Sequence, residues 1–265
     1  MKIAVSGKGG VGKTTFSAVL ARLYADEGHK VLCADVDPDA NLGLALGFSE
    51  EELEQIVPIS EMKDMARERT NAHQFESFFK LNPKVDDLPD KLAKEINGVK
   101  LLVLGTVKVP AGGCVCPEHV ILKRLLSHLI VERDDVVIMD MEAGLEHLAR
   151  GTTSLVDQFV VVVEPGARSV QTYHSVKRLA EGLGVHRVSV VANKVRDEAD
   201  EAFIRERVPA EDLLGMIHYC GEVSDADRRC VSPYDTAPQT VEEIRAIKQK
   251  IDLTASTETD RRSNL

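Results

Sequence analysis

Gly7-Lys8-Gly9-Gly10-Val11-Gly12-Lys13-Thr14 stands directly after an apolar run that begins at Lys2 and directly before a stretch of helical periodicity. A glycine-rich turn that closes on Lys-Thr between a strand and a helix has the pattern and the context of a phosphate-binding loop. Its glycines let successive backbone N–H groups curl around a phosphate chain, and the helix N-terminus behind them adds partial positive charge. Lys13 is placed to reach the terminal phosphates, and Thr14 to ligate Mg²⁺.

Outward from this loop, apolar runs of strand length recur at 2–6, 30–34, 99–106, 135–140, 158–164, 187–193 and 213–217, with helical patterns at 14–27, 118–131, 169–183 and 241–251. The strand runs are continuous rather than alternating, as strands covered on both faces should be. The expected fold is α/β, a doubly wound, mostly parallel sheet flanked by helices in a single domain over 1–254. Residues 48–99 read as an elaborated insertion, because Pro58, Pro83 and Pro89 interrupt the periodicity and Ser49 with Glu52 forms a candidate capping box. The polar end, 255–265, is expected to fray as a flexible tail.

Composition narrows the function classes. Lys plus Arg number 33 against 43 Asp plus Glu, a formal net charge of −10, so no broad basic face is available for a phosphate backbone and no nucleic-acid partner is expected. No apolar run approaches the roughly 18 residues of a membrane-spanning helix, and strand-like sequence from Lys2 leaves no room for a leader, so a cytoplasmic protein without a membrane partner is expected. Five cysteines, an odd number in a chain of 265 residues, favour reduced thiols or metal ligands over a disulfide framework.

Three further segments carry polar residues at the ends of candidate strands, where open α/β sheets bind their ligands. The first is Asp35-Val36-Asp37-Pro38-Asp39-Ala40-Asn41, in which Asp35 and Asp39 are either Mg²⁺-shell groups or turn formers. The second is Val136-Val137-Ile138-Met139-Asp140, a Walker B arrangement of four apolar residues closed by an Asp, followed by Met141-Glu142-Ala143-Gly144. The third is Ala192-Asn193-Lys194, where the Asn amide offers a donor and an acceptor that suit the N6 and N7 edge of adenine. Separately, Cys114-Val115-Cys116-Pro117 places two thiols one residue apart at a candidate helix start. Such a pair makes a poor disulfide but supplies half of a tetrahedral thiolate site, and a two-fold dimer would complete it. Pro117 and the helix dipole are expected to favour thiolate at Cys116.

Lys8 to Thr14 resembles the deviant Walker A loop, Lys-Gly-Gly-x-Gly-Lys-Thr, of the ATPase group that includes MinD, ParA and the nitrogenase iron protein. The resemblance implies a nucleotide-sandwich homodimer in which Lys8 reaches the partner's phosphates. It also implies that Asp37, directly before Pro38, orients the attacking water. Asp140 would sit near Mg²⁺ through water, Gly144 would bring its N–H to the γ-phosphate, and Asn193 and Lys194 would serve the base. Within the group the chain resembles the CooC-type nickel-insertion ATPases through Gly7 to Thr15, Asp35 to Asn41, Asn82-Pro83-Lys84-Val85, Cys114 and Cys116, Asp140 through Gly144 and Glu146-His147 to Thr152, Glu164-Pro165, and Asn193 to Arg196. That likeness implies ATP, ADP and Mg²⁺ as cofactors. It further implies Ni²⁺ or, in competition, Zn²⁺ on Cys114 and Cys116 across the dimer, and apo-carbon monoxide dehydrogenase or acetyl-CoA synthase as client. Thiolates alone do not separate nickel from zinc. The adenine-side loop of the group, near Ile217-His218-Tyr219 here, commonly has Pro where this chain has His218.

The alternative is a MinD- or ParA-like positioning or partitioning ATPase without a metal role. A membrane-binding version needs a basic amphipathic C-terminal helix, whereas Val241, Ile244, Ile247 and Ile251 form a stripe suited to docking on the domain. An iron-protein-like reductase would need a cysteine between 140 and 151, and there is none.

Overall fold

Strand β1 (Lys2–Gly7) is buried along its whole length because it lies inside a sheet with a partner on each edge. The computed structural model describes residues 1–37, 39–72, 80–105, 116–142, 156–182, 185 and 187–262, with backbone alone over 255–262. Helix α1 (Lys13–Asp26) leads to β2 (Val31–Asp35). The short helices α2 (Leu42–Leu46), α3 (Glu50–Glu54), α4 (Lys63–Thr70) and α5 (Leu88–Leu92) lead to β3 (Lys94–Ile96) and β4 (Val99–Val103). Helix α6 (Pro117–Val131) precedes β5 (Val136–Asp140), and β6 (Gln158–Val163), α7 (Ala167–Gly182), β7 (Val188–Val195), α8 (Glu198–Arg207) and β8 (Leu213–His218) follow. The chain closes with α9 (Gly221–Arg228), α10 (Pro233–Thr236) and α11 (Pro238–Arg262).

The sheet has eight strands in the order β3-β4-β2-β5-β1-β6-β7-β8, every pair parallel except β3 with β4. Alternate side chains feed two separate cores. Ala4, Leu32, Ala34, Val137, Met139, Phe159 and Val161 pack on one face with α6, α7 and Ile204 of α8. Ile3, Val5, Val31, Cys33, Ile138, Val160 and Val162 pack on the other with α1 and α11. Burial on both faces is why the strands read as unbroken apolar runs, and it makes the fold doubly wound as expected. The chain winds from β1 to β2, β4 and β5 on one side, then crosses to β6, β7 and β8 on the other. The carboxyl end of β1 is therefore the switch point at which such sheets bind ligands.

Several elements differ from the sequence expectation. β3 pairs antiparallel at the sheet edge, and its exposed Lys94 and Glu95 and half-buried Ile96 have no apolar run to announce them. α8 and α9 are polar helices in segments assigned to no element. α11 begins at Pro238 and continues to Arg262, through 255–262 where a tail was expected, since nothing from Leu253 to Arg262 is a Gly or Pro that would stop a helix. Val241, Ile244, Ile247 and Ile251 are buried against the sheet, each contributing about 1.5–3 kcal/mol.

Within 48–99 the capping box forms, with Glu52 N–H donating to Ser49 Oγ at 3.2 Å and Ser49 N–H to Glu52 Oε2 at 2.8 Å. Arg69 makes a bidentate pair with Asp87 at 2.8 and 2.7 Å, and Ile59, Ala66, Val85 and Leu88 join the core beside α6. The described part of the segment thus contributes to the core on that face of the sheet.

Candidate nucleotide-binding cleft

β1 approaches β6 so closely at Gly7 that a Cβ there would lie 2.4 Å from the Val162 carbonyl oxygen. The chain then turns through the loop to Gly12, the N-cap of α1, whose φ of 95° is left-handed. A Cβ on Gly12 would stand 2.2 Å from Asn193 Nδ2. That amide donates to the Val11 carbonyl at 2.7 Å, and Lys194 Nζ donates to the Gly10 carbonyl at 2.6 Å. The end of β7 therefore holds two loop carbonyls outward, while the first-turn N–H groups of α1 have no intrahelical acceptors and remain for a ligand. Gly9 has open space where its Cβ would be and no positive φ, so nothing in this chain demands a glycine there.

Gly9, Gly10, Gly12, Lys13, Thr14 and Thr15 border a cavity of about 580 Å³, within the roughly 300–1,000 Å³ of small-molecule sites. Asp37, Asp39, Asn41 and Glu142 border it from the ends of β2 and β5, Lys194 from β7, and Val223, Ser224 and Asp227 from α9. Lys13 is 6% exposed, and its Nζ lies 3.8 Å from Asp37 Oδ2. Lys8, next to the lining residue Gly9, is exposed, and among the described residues it has no ion-pair partner.

Asp35 and Asp140 are register partners at the ends of β2 and β5, both buried. Burial, reinforced by Asp140, pushes the Asp35 carboxyl up to about 7. Burial likewise pushes Asp140 up to about 6, against the opposing pull of the Thr14 hydroxyl and the Lys13 charge. Two buried carboxylates on paired strand ends repel each other's charge, so each is pushed toward its neutral form. Asp35 is also a loop former: Oδ2 accepts from Leu42 N–H at 3.0 Å and Oδ1 from Asp37 N–H at 3.2 Å. Ser17 Oγ donates to Asp140 Oδ1 at 3.4 Å.

A second, narrower cleft adjoins the first, sharing Gly12, Thr15, Lys194, Val223 and Ser224 with it. Its walls are Phe16, Asn193, Ile217, His218, Tyr219, Thr240 and Ile244. Phosphates held at Lys13 would extend a base into this end. Asn193 lines it, with its amide already engaged, Nδ2 with Val11 and Oδ1 accepting from Lys194 N–H at 2.9 Å. Thr240 and the α9 wall were not singled out by sequence, because no motif encloses them, and Glu142 was quoted there without a role of its own.

Cys116 is the N-cap of α6 with Pro117 after it, as the spacing predicted. The expectation of a favoured thiolate is corrected: burial raises the Cys116 thiol, and Glu118 adds to that against the His119 N–H. Cys114, Gly144, Glu146, His147 and Arg150 lie outside the described residues, as does Pro38. Among the described residues, no three His, Cys, Asp or Glu gather to hold a metal, and no helix is long and apolar enough to cross a membrane.

The family model for the CobQ/CobB/MinD/ParA nucleotide binding domain (CbiA) matches residues 2–233. The chain is 45% identical over 248 residues to the carbon monoxide dehydrogenase accessory protein CooC of Rhodospirillum rubrum, covering 93% of this chain and 94% of that one. It is 46% identical over 228 residues to an uncharacterized ATP-binding protein of Methanocaldococcus jannaschii, covering 84% and 87%. Among solved structures, MinD of Aquifex aeolicus superposes with a TM-score of 0.65 at 20% identity, over 95% of this chain and 97% of that one. MinD of Pyrococcus horikoshii, complexed with Mg-ADP, gives 0.62 at 19%, over 95% and 96%. At such identities the structural likeness speaks for the fold alone. The chain is an ATPase, and it belongs to the CobQ/CobB/MinD/ParA nucleotide-binding family, among the relatives of CooC.

Proposed function

We propose that this ATPase is a metallochaperone that takes Ni²⁺, with Zn²⁺ as competitor, on Cys114 and Cys116 of two chains and supports nickel insertion into carbon monoxide dehydrogenase. The observation that carries this reading is likeness along 93% of the chain to a carbon monoxide dehydrogenase accessory protein, in a chain that also has the Cys-x-Cys pair. Cys116 opens a 15-residue helix and so stands at a fixed place on the domain. Two thiolates from each of two chains make the four-ligand set that a soft or borderline metal accepts.

In this reading ATP enters with its phosphates on the 7–15 loop, and Mg²⁺ is held by Thr14 with Asp140 nearby. The loose Lys13–Asp37 pair gives way as Lys13 turns to the γ-phosphate, which frees Asp37 to orient the attacking water. Lys8, exposed next to Gly9, crosses to the partner's phosphates, and Gly144 follows the γ-phosphate. Hydrolysis to ADP and phosphate then loosens the dimer and with it the shared metal site. A membrane-positioning role is less well supported, since the apolar stripe of α11 is already buried on the sheet.

Size-exclusion chromatography with light scattering and metal analysis, with Ni²⁺ or Zn²⁺ and with or without MgATP, tests the reading. One metal per dimer is expected, lost in the Cys114→Ser/Cys116→Ser variant. Wild-type metal content in that variant would sink the interface site, and ATP-driven dimers without metal would leave a positioning or partner-regulating ATPase. Activation of nickel-free dehydrogenase by the wild type but not by the double variant would identify the client.

A further inference from the structure

The base end of the cleft carries a polar device that the nucleotide loop does not explain. His218 closes β8, and its backbone N–H donates to Glu243 Oε2 at 2.8 Å. Its ring Nδ1 lies 2.8 Å from Glu243 Oε1, and Nε2 lies 3.4 Å from Glu201 Oε1. One residue of β8 thus grips the same carboxylate of α11 twice and reaches α8 as well. The other groups facing this cluster are Arg205, 2.6 Å from Glu201, and the Gln239 amide, which donates to Glu243 Oε1 at 3.2 Å. Beside them, Arg196 lies over the Tyr219 ring.

Thr240 lies three residues before Glu243 on α11, so the two share a helix face. Thr240 is 2% exposed, lines the base end of the cleft, and its Oγ1 has no hydrogen-bond partner among the described residues. Buried hydroxyls ordinarily find a partner. A spare hydroxyl on the wall of a ligand cleft, on the same helix face that His218 holds, marks a group kept for a ligand.

We propose that His218 is a positioning residue for the nucleotide base: by gripping Glu243 it fixes the register of α11 so that Thr240 presents its hydroxyl to the edge of the purine ring. The inference rests on the cleft being the nucleotide site. An imidazolium donates on both sides, whereas a neutral ring has one N–H and must release one carboxylate. Glu243 and, more weakly, Glu201 hold the ring charged above its ordinary value of 6.5, so the grip is complete below that pH and relaxes as pH rises through the raised value.

ATPase kinetics and ADP titration calorimetry on the full chain test this. His218→Ala is expected to raise the KM for ATP about five- to tenfold with kcat within twofold, on the order of one lost charge-assisted hydrogen bond. Thr240→Val, equal in shape without the hydroxyl, should weaken ADP by a similar factor. His218→Asn retains a donor toward Glu243 without a titrating ring, so it should restore the KM at neutral pH. The weakening of ADP with rising pH that is expected of the wild type should be smaller in this variant. Unchanged KM in His218→Ala, unchanged ADP affinity in Thr240→Val, or the same pH slope in wild type and His218→Asn would each overturn the proposal. A wild-type protein that binds no ADP would overturn the nucleotide site itself.

Discussion

At the proposed phosphate end of the cleft the loop contributes its lining from the contiguous stretch 9–15, whereas the proposed base end is lined by Asn193, His218 and Thr240, which come from β7, β8 and α11. The difference is one of recognition chemistry. A phosphate chain is bound by backbone N–H groups and a helix N-terminus, which forces glycines and a following helix into the local sequence. A base edge is met by side-chain donors and acceptors, which need only tertiary proximity and leave no local pattern. The loop is nevertheless not autonomous, since Asn193 and Lys194 hold its carbonyls from across the cleft.

The largest separation of the two ends comes from Lys13→Ala. With the buried Lys13 cation removed, the phosphate end should lose about 10²–10³-fold in ATP hydrolysis, as for loss of a transition-state charge stabiliser. Phosphate release measures this, and residual turnover within tenfold of wild type would remove Lys13 from that role. Next comes Gly12→Ala, which forces a left-handed φ on an L-residue and drives a Cβ toward Asn193 Nδ2. Backbone strain of about 1–3 kcal/mol corresponds to on the order of tenfold or more in nucleotide affinity where the loop shifts to relieve it. Calorimetry should show weaker ADP and a lower Tm together.

Asn193→Ala probes the tie between the ends. Losing the bond to the Val11 carbonyl should cost about 0.5–1.5 kcal/mol in stability and a severalfold rise in KM. It also removes the atom that the Gly12→Ala methyl meets. The double variant should therefore lose less than the sum of the singles, with a coupling of at least about 0.5 kcal/mol by Tm and affinity. Strict additivity would mean that the loop is set by its own backbone after all.

The same contrast governs what the residues revealed beforehand. The interior strands were legible because both faces are covered, which writes unbroken apolar runs such as Val136 to Met139. The loop was legible because its geometry dictates its glycines. β3 was not, since three edge residues, two of them exposed, carry no periodicity. α8 had a readable start, Asp197 accepting from Asp200 N–H at 2.9 Å, but no apolar stripe to point it at a core beyond Ile204. At Cys116 the helix start was legible and the thiol was not, because desolvation and Glu118 are properties of the packed helix rather than of the motif. His218 showed only as a departure from a common Pro, and its meaning lies in Glu201 and Glu243, 17 and 25 residues away.

The smallest expected effect lies where the two ends meet. Lys194 adopts φ 59° and is among the few described non-glycine residues in the left-handed region, while its Nζ reaches the Gly10 carbonyl and lies 3.9 Å from Glu164. The backbone and the side chain of this residue serve different ends: the first carries β7 past Asn193 toward the base, and the second holds the phosphate loop. Lys194→Ala removes the side-chain contact but leaves the strain, and Lys194→Gly removes both. The side chain is partly exposed, so its bond should be worth under about 1 kcal/mol, and both variants should show a similar two- to threefold rise in the KM for ATP. Their Tm values should separate, with Gly above Ala by the equivalent of about 1 kcal/mol, the usual cost of left-handed backbone for a residue with a Cβ. Equal Tm values would mean that the backbone relaxes when the side chain lets go of Gly10, and that the phosphate loop holds β7 as much as β7 holds the loop.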